Sequence, residues 1–218
     1  MRALVLGTIL VVLLCACRVD STVDVFIDDD GSGTVSLTMV ADAAAVSLVT
    51  SDPTELRFDD LAAAGWDLVG PMVEDGGITL HASKPFLSAP ELESVLAELL
   101  GPEVIFSEVE ITEVHEFSKI GLRPASTDYT FSATVDPSPS LEVLGDELLA
   151  GELAGTPLGR SLLSIETAAG TSFEESLGLT VNVTMPSGAS SESGDVTDET
   201  VTWTFAFGDA STEIDARS

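Results

Sequence analysis

Thiols are nearly absent from this chain. Its two cysteines, Cys15 and Cys17, stand together at the end of the N-terminal apolar run. No thiol follows them, which excludes a disulfide framework, a thiolate zinc site and a cysteine nucleophile from residues 18–218. Cations are scarce as well. Lys plus Arg is 8 against 37 Asp plus Glu, a formal charge of −29. Nucleic acid is therefore no partner, because binding it needs a basic footprint. The same charge repels anionic headgroups, and it keeps a domain soluble and favours a monomer. There are two histidines, His81 and His115, too few for a dedicated metal or acid–base cluster. No P-loop, dinucleotide fingerprint or G-x-S-x-G elbow is present. The chain is expected to be no enzyme and to need no cofactor and no metal.

Long apolar runs are missing too. The run Leu4–Leu14 has 11 residues, whereas a membrane-spanning helix needs about 20. With Arg2 before it, the run fits the charged and apolar regions of a secretory signal peptide. Leu14 at −3 and Ala16 at −1 place Cys17 in a lipobox. Cys15, preceded by Leu13 and Leu14, does not satisfy that pattern. Residues 1–17 are expected to be a lipoprotein signal peptide, with Cys17 lipidated and the first residue of the mature chain. Residues 18–218 then form a single domain on the outer face of the cell membrane. A domain of that size buries roughly 70% of the surface its unfolded chain exposes, and it needs no covalent staples.

What is present is alternation. Val19, Val23, Val25 and Ile27 alternate with polar residues, then Asp28-Asp29-Asp30-Gly31-Ser32-Gly33 leads into Val35, Leu37, Met39 and Ala41. Two such runs around an Asp/Gly turn predict a β-hairpin. The triple Asp also fits the start of a calcium loop, but the twelfth position, which an EF-hand fills with Glu, is Met39. A turn is expected. Trp66, Leu68 and Met72, the turn Asp75-Gly76-Gly77, and Ile78, Leu80 and Ala82 predict a second hairpin. Further strands are expected over 103–117, 129–135, 177–185 and 201–207 and around Ile214.

Helices are predicted in two places. One starts at the Asp52-Pro53-Thr54-Glu55 signal and stops at Gly65. The other follows the capping box Ser88-Ala89-Pro90-Glu91, with Leu92, Val95, Leu96, Leu99 and Leu100 on one face and Gly101-Pro102 as its stop. Residues 137–176 are a Leu/Gly-rich insertion. Over 141–165 it fits either a lid above an apolar cavity or a third core helix with a loop. Clean alternation signals strands with one buried and one wet face, the habit of antiparallel sheet. The expected fold class is α+β: a twisted antiparallel sheet of about 8–10 strands built from hairpins, with two or three helices packed on one face.

Few side chains suggest chemistry. His81 lies on the polar side of its strand between Thr79 and Ser83. His115 shares a strand face with Glu113 and Phe117, but two side chains fall short of the three or four a zinc site takes. Asn182-Val183-Thr184 matches a glycosylation acceptor but sits inside a strand. Trp66, Tyr129, Phe131, Trp203, Phe205 and Phe207 read as core.

The order of these pieces resembles the LppM-type lipoproteins of actinobacteria. The resemblance runs through Cys17-Arg18-Val19-Asp20, Asp30-Gly31-Ser32-Gly33, Gly101-Pro102-Glu103-Val104-Ile105-Phe106, the Leu/Gly-rich insertion, Val181-Asn182-Val183-Thr184-Met185-Pro186 and Trp203-Thr204-Phe205-Ala206-Phe207-Gly208. It implies a non-enzymatic envelope protein that binds lipid or glycolipid. Many members carry a C-terminal transmembrane helix; this sequence stops at Ser218 without one, so the lipid on Cys17 is expected to be the anchor. The alternative is a structural or assembly protein that docks a protein partner at the envelope. Replacing Cys17 by Ala should move the protein from the membrane to the soluble fraction on cell fractionation. A variant that stays in the membrane would contradict the lipobox reading.

Overall fold

A computed structural model of the chain describes residues 18–49, 59–100, 105–117, 124–137 and 176–218. Period-two alternation sets nearly every element. The first strand, β1 (Val19–Ile27), buries Val23, Val25 and Ile27 on one face and leaves Thr22, Asp24 and Phe26 on the other. It turns through Asp28–Ser32 into β2 (Gly33–Ala41) in full register, Val19 opposite Ala41 and Ile27 opposite Gly33. A glycine is required at position 33. A Cβ there would sit 1.9 Å from the Phe26 carbonyl oxygen and 2.6 Å from the Phe86 ring.

The strands β3 (Asp67–Glu74) and β4 (Gly77–Phe86) make the second hairpin, and β4 pairs with β2. After β5 (Phe106–Phe117) and β6 (Pro124–Val135) come β7 (Leu177–Thr184), the three-residue β8 (Asp195–Thr197), β9 (Thr200–Ala206) and β10 (Thr212–Arg217). Seven strands form one sheet in the order β3-β4-β2-β1-β7-β9-β8. Three form a second, β10-β6-β5. The fold class is α+β, as the sequence predicts. The expected sheet differs in two respects. It is divided in two, and β1 runs parallel to β7, Val19 opposite Leu177 through Phe26 opposite Thr184. A parallel pair with one wet face shows the same alternation as an antiparallel one, so the sequence pattern does not distinguish them.

The inner faces of the two sheets enclose one core. Val23, Val25, Ile27, Val35, Val181, Val183, Met185 and Val201 come from the large sheet. Phe131, Ala133, Val135, Ile214 and Ala216 come from the small one. The side of this sandwich is closed by α3 (Ala89–Leu100), whose Leu92, Val95 and Leu96 are buried in the same core. Its start differs in detail from the predicted capping box: the Glu91 N–H donates to the Ser88 carbonyl at 3.0 Å, and the Glu91 carboxylate accepts from the Leu87 N–H at 2.7 Å.

Two shorter helices precede it. Asp59–Ala63 (α2) is the described end of the helix expected before Gly65. Ala43–Val49 (α1) was not predicted; it packs Ala45 and Val46 on Ala41 and Ile78 in a small satellite core. Cys17 and the signal segment lie outside the described residues, as does the insertion from 138 to 175. Phe131 is fully buried between the sheets. Truncating it to Ala should cost about 3–5 kcal/mol of stability in urea unfolding, and a loss near zero would contradict the two-sheet core.

Candidate functional site

Three places carry more than packing: the point where the chain enters the fold, the Asp turn, and a groove along the edge of β9. At the entry, Arg18 is tied down before the first strand begins. Its backbone N–H donates to Asp42 Oδ2 at 3.1 Å, and its carbonyl accepts from the Asp42 N–H at 3.0 Å. Its guanidinium Nε donates to Asp20 Oδ1 at 2.9 Å. The other carboxylate oxygen of Asp42 accepts from the Ala45 N–H at 2.7 Å, capping α1. One aspartate thus joins the chain entry to a helix start. Cys17 is the residue immediately before this clasp.

The Asp28–Ser32 turn is at the far end of the same hairpin. Asp28 N–H donates to the Ser32 carbonyl, and Gly31 N–H to the Asp28 carbonyl. Ser32 gives Asp30 two hydrogen bonds, from its hydroxyl at 2.5 Å and its N–H at 3.1 Å. The hydroxyl bond, then the backbone one, hold the Asp30 carboxyl below the usual carboxylate range. These internal partners make a turn, as the residue at position 39 implied. Tyr129 reaches over from the small sheet and donates its hydroxyl to the Asp29 carbonyl at 2.8 Å. Burial pushes its phenol above the ordinary value, and the charges of Glu113, Asp30 and Asp29 push the same way.

The groove has a simple origin. The short β8 pairs with β9 only at Thr200, Val201 and Thr202. Among the described residues no strand covers that edge of β9 beyond Thr202. A groove of about 510 Å³ lies there, with Trp203 and Phe205 beneath and Ser193, Asp195, Thr204, Asp209 and Thr212 around it. Asp209 caps the exposed edge by accepting from the Ala206 N–H at 2.7 Å. Ser193 accepts from the Trp203 indole N–H at 3.1 Å. The groove runs toward the end of the sheet where Arg18 enters, since Ala206 lies opposite Gly178 and Gly178 opposite Asp20.

The remaining residues singled out in the sequence are dispersed. His81 is half-buried on the outer face and hydrogen-bonds Thr38 at 2.9 Å. His115 is opposite Thr127 in the β5–β6 pair. Asn182 is spent on its neighbours: its amide donates to Asp24 at 2.8 Å and accepts from Thr202 at 2.8 Å. Trp66, Tyr129, Phe131, Trp203 and Phe205 are core residues, and Phe207 is half-buried. Among the described residues no three His, Cys, Asp or Glu side chains converge on a metal position, and no helix is long and apolar enough to cross a membrane.

One polar cluster escaped sequence reading. Lys84 sits on the inward side of β4, opposite Val35. It donates to Glu98 at 2.6 Å and to the Ala64 carbonyl at 2.7 Å, while the Trp66 indole donates to the same Glu98 oxygen at 3.1 Å. These bonds tie α2, β4 and α3 together, so the cluster is structural.

Two measurements follow from these contacts. Asp42→Ala removes the α1 cap and the Arg18 clasp together and should cost about 1 kcal/mol or more, read as a fall in the urea midpoint. Tyr129 is the chain's single tyrosine, so its ionisation can be followed by ultraviolet absorbance. The raised phenol means the fold favours the neutral form. That contribution is full below pH 10.0, the unfolded value, and is lost as pH rises through the folded value. Tyr129→Phe should flatten stability above pH 10, and a titration midpoint at or below 10.0 would contradict the burial.

No family model matches the chain, and no curated protein matches it. Among solved structures, the chain is similar to the NMR structure of the folded domain of LppM from Mycobacterium tuberculosis. The identity is 10% and the TM-score 0.48, over 94% of this chain and 91% of that chain.

Proposed function

We propose that the protein is a lipid-anchored, extracytoplasmic envelope module, not an enzyme, that binds the head of a lipid or glycolipid in the β9 groove. The anchor part rests on the lipobox Leu14-Cys15-Ala16-Cys17 and on the resemblance to the LppM-type lipoproteins. The binding part rests on one observation: an uncovered strand edge with an aromatic floor and a polar rim, at the end of the sheet where the chain enters. Binding sites combine an apolar surface with a few placed polar groups that fix orientation. Trp203 and Phe205 offer the first, and Ser193, Asp195, Thr204 and Asp209 the second. Asp195 and Asp209 bring negative charge to the rim, and among the described residues no cation lines it. Phosphate is repelled there, so a neutral, hydroxyl-rich head fits best.

The alternative of a protein-docking module has its own support. Across the outer face of the large sheet, one row reads Asp67, Ser83, Ser36, Asp24, Asn182, Thr202 and Asp195. That row is polar, acidic at both ends, and suits a cationic protein surface. Crosslinking in intact membranes decides between the two, since a docking module yields one defined protein adduct.

The groove reading is tested by titrating the purified protein with a short-chain alkyl glycoside while following tryptophan emission. Binding should shift the emission of Trp203. Asp195→Ala should weaken it about tenfold, the size of one lost charge-assisted hydrogen bond. Emission that does not move at saturating glycoside would contradict the reading.

A further inference from the structure

The large apolar side chains left exposed are not evenly spread. Seven are exposed among the described residues: Phe26, Val40, Val69, Met72, Val73, Leu87 and Val196. Three of them, Val40, Val69 and Met72, share one corner of the outer face, formed by the edge strand β3 and the end of β2, with Val73 beside them on the other face of β3. Single exposed apolar residues need no explanation, but a group on adjoining strands marks a contact surface.

The corner is made by a bulge. Between Val69 and Met72 the β3–β4 register shifts at Gly70-Pro71. Leu68 points inward opposite Ala82, yet Met72, four residues on, lies opposite Thr79 on the outer face. The inserted residue reverses the parity of the strand. Gly70 is bound to this shape, with φ at +109° and Thr79 O only 2.8 Å from where a Cβ would be. Without the bulge Met72 would point into the core. With it, Val40, Thr79 and Met72 form an outward row across β2, β4 and β3, and Val69 extends the patch along the edge.

The position of this corner identifies its occupant. Val19 lies opposite Ala41, Ala41 opposite Ile78, and Ile78 opposite Val73. These four residues form a row across the sheet at the level where the chain enters. Val40 and Met72 lie one residue inside that row, about 3.3 Å along the strands. Four strands at about 4.8 Å spacing place Val73 roughly 15 Å to the side of Val19. Whatever surface holds Cys17 therefore faces this corner at nearly the same height. We propose that Val40, Val69 and Met72 rest on the bilayer as a second, non-covalent contact, so that the domain leans on its β3 corner and keeps one orientation. This rests on the lipid-anchor reading of Cys17. The contact is apolar rather than electrostatic. Glu74 and Asp75 flank it, and the chain's charge is −29, so zwitterionic lipid suits it better than anionic lipid.

The mature chain offers a clean test. Cys15 leaves with the signal peptide and the sulfur of Cys17 is consumed by its lipid, so an introduced cysteine carries the only reactive thiol. The lipidated protein is placed on phosphatidylcholine vesicles with a maleimide fluorophore at Met72→Cys, at Val69→Cys or, as reference, at Val196→Cys. Val196 is 44% exposed, and it pairs with Val201 at the level of Val25, about 20 Å along the strands from Val19. Aqueous iodide should quench the labels at 69 and 72 several-fold less than the label at 196. Adding Met72→Asp to the Val69→Cys chain should abolish that protection. Equal quenching at all three positions on vesicle-bound protein overturns the proposal and leaves the anchor standing. Protection that grows with the protein-to-lipid ratio assigns the corner to a second copy of the chain and overturns it as well. A chain that does not bind the vesicles overturns the anchor and the proposal with it.

Discussion

The structure depends on where β1 sits. It is the fourth of seven strands in the large sheet, hydrogen-bonded to β2 on one side and to β7 on the other. Val23, Val25 and Ile27 are fully or almost fully buried beneath it. A central strand exchanges ladder bonds on both edges and packs its side chains against both sheets, so it cannot leave without opening the fold. Only Arg18 separates this strand from the candidate lipidation site, Cys17. Arg18 and Asp42 lock that junction with one backbone bond, Asp42 N–H to the Arg18 carbonyl, and one from the Arg18 N–H to the Asp42 carboxylate. A flexible spacer is the looser way to hang a domain on a lipid. A lipid on Cys17 would feed directly into the part of the molecule hardest to displace.

That constraint gives the rest of the surface an up and a down. The Arg18 end carries the apolar corner of β3 and one mouth of the β9 groove. The opposite end carries the Asp28–Ser32 turn under Tyr129 and the β8–β9 hairpin. Acidity is distributed over both ends and the outer face, which fits solvation and leaves apolar contact as the means by which so anionic a domain can rest on lipid. The groove and the corner owe their existence to edge irregularities, a three-residue strand in one case and a bulge in the other. Sheet edges are where unpaired backbone and misplaced side chains become available for binding.

Much of the fold was legible in the sequence and much of the surface was not. Strands announced themselves through alternation, from Val23-Val25-Ile27 to Val201-Trp203-Phe205, because each has one wet face. The helix α3 was legible from Leu92, Val95 and Leu96 at helical spacing behind a cap. The seven-residue α1 was not: Ala43, Ala44 and Ala45 give no amphipathic period, and Asp42 reads as a cap only once the helix is known. Partner strands are set by contacts across the chain, so the parallel β1–β7 pair and the division into two sheets left no local trace. The bulge at Gly70-Pro71 turned Met72 outward, against the parity read from Leu68. Lys84 occupies an inward position that alternation alone assigns to an apolar residue. Trp203 and Phe205 were correctly read as core, but the groove above them comes from what β8 fails to cover.

The central claim is that the anchored domain sits directly on the bilayer in one orientation. Neutron reflectivity of the lipidated chain on a supported phosphatidylcholine bilayer measures this most directly. The account predicts protein density that begins at the headgroups, with the first strand within about 10 Å of the membrane surface and no water layer between. A hydrated gap beneath the domain, or density spread over many heights, would contradict it.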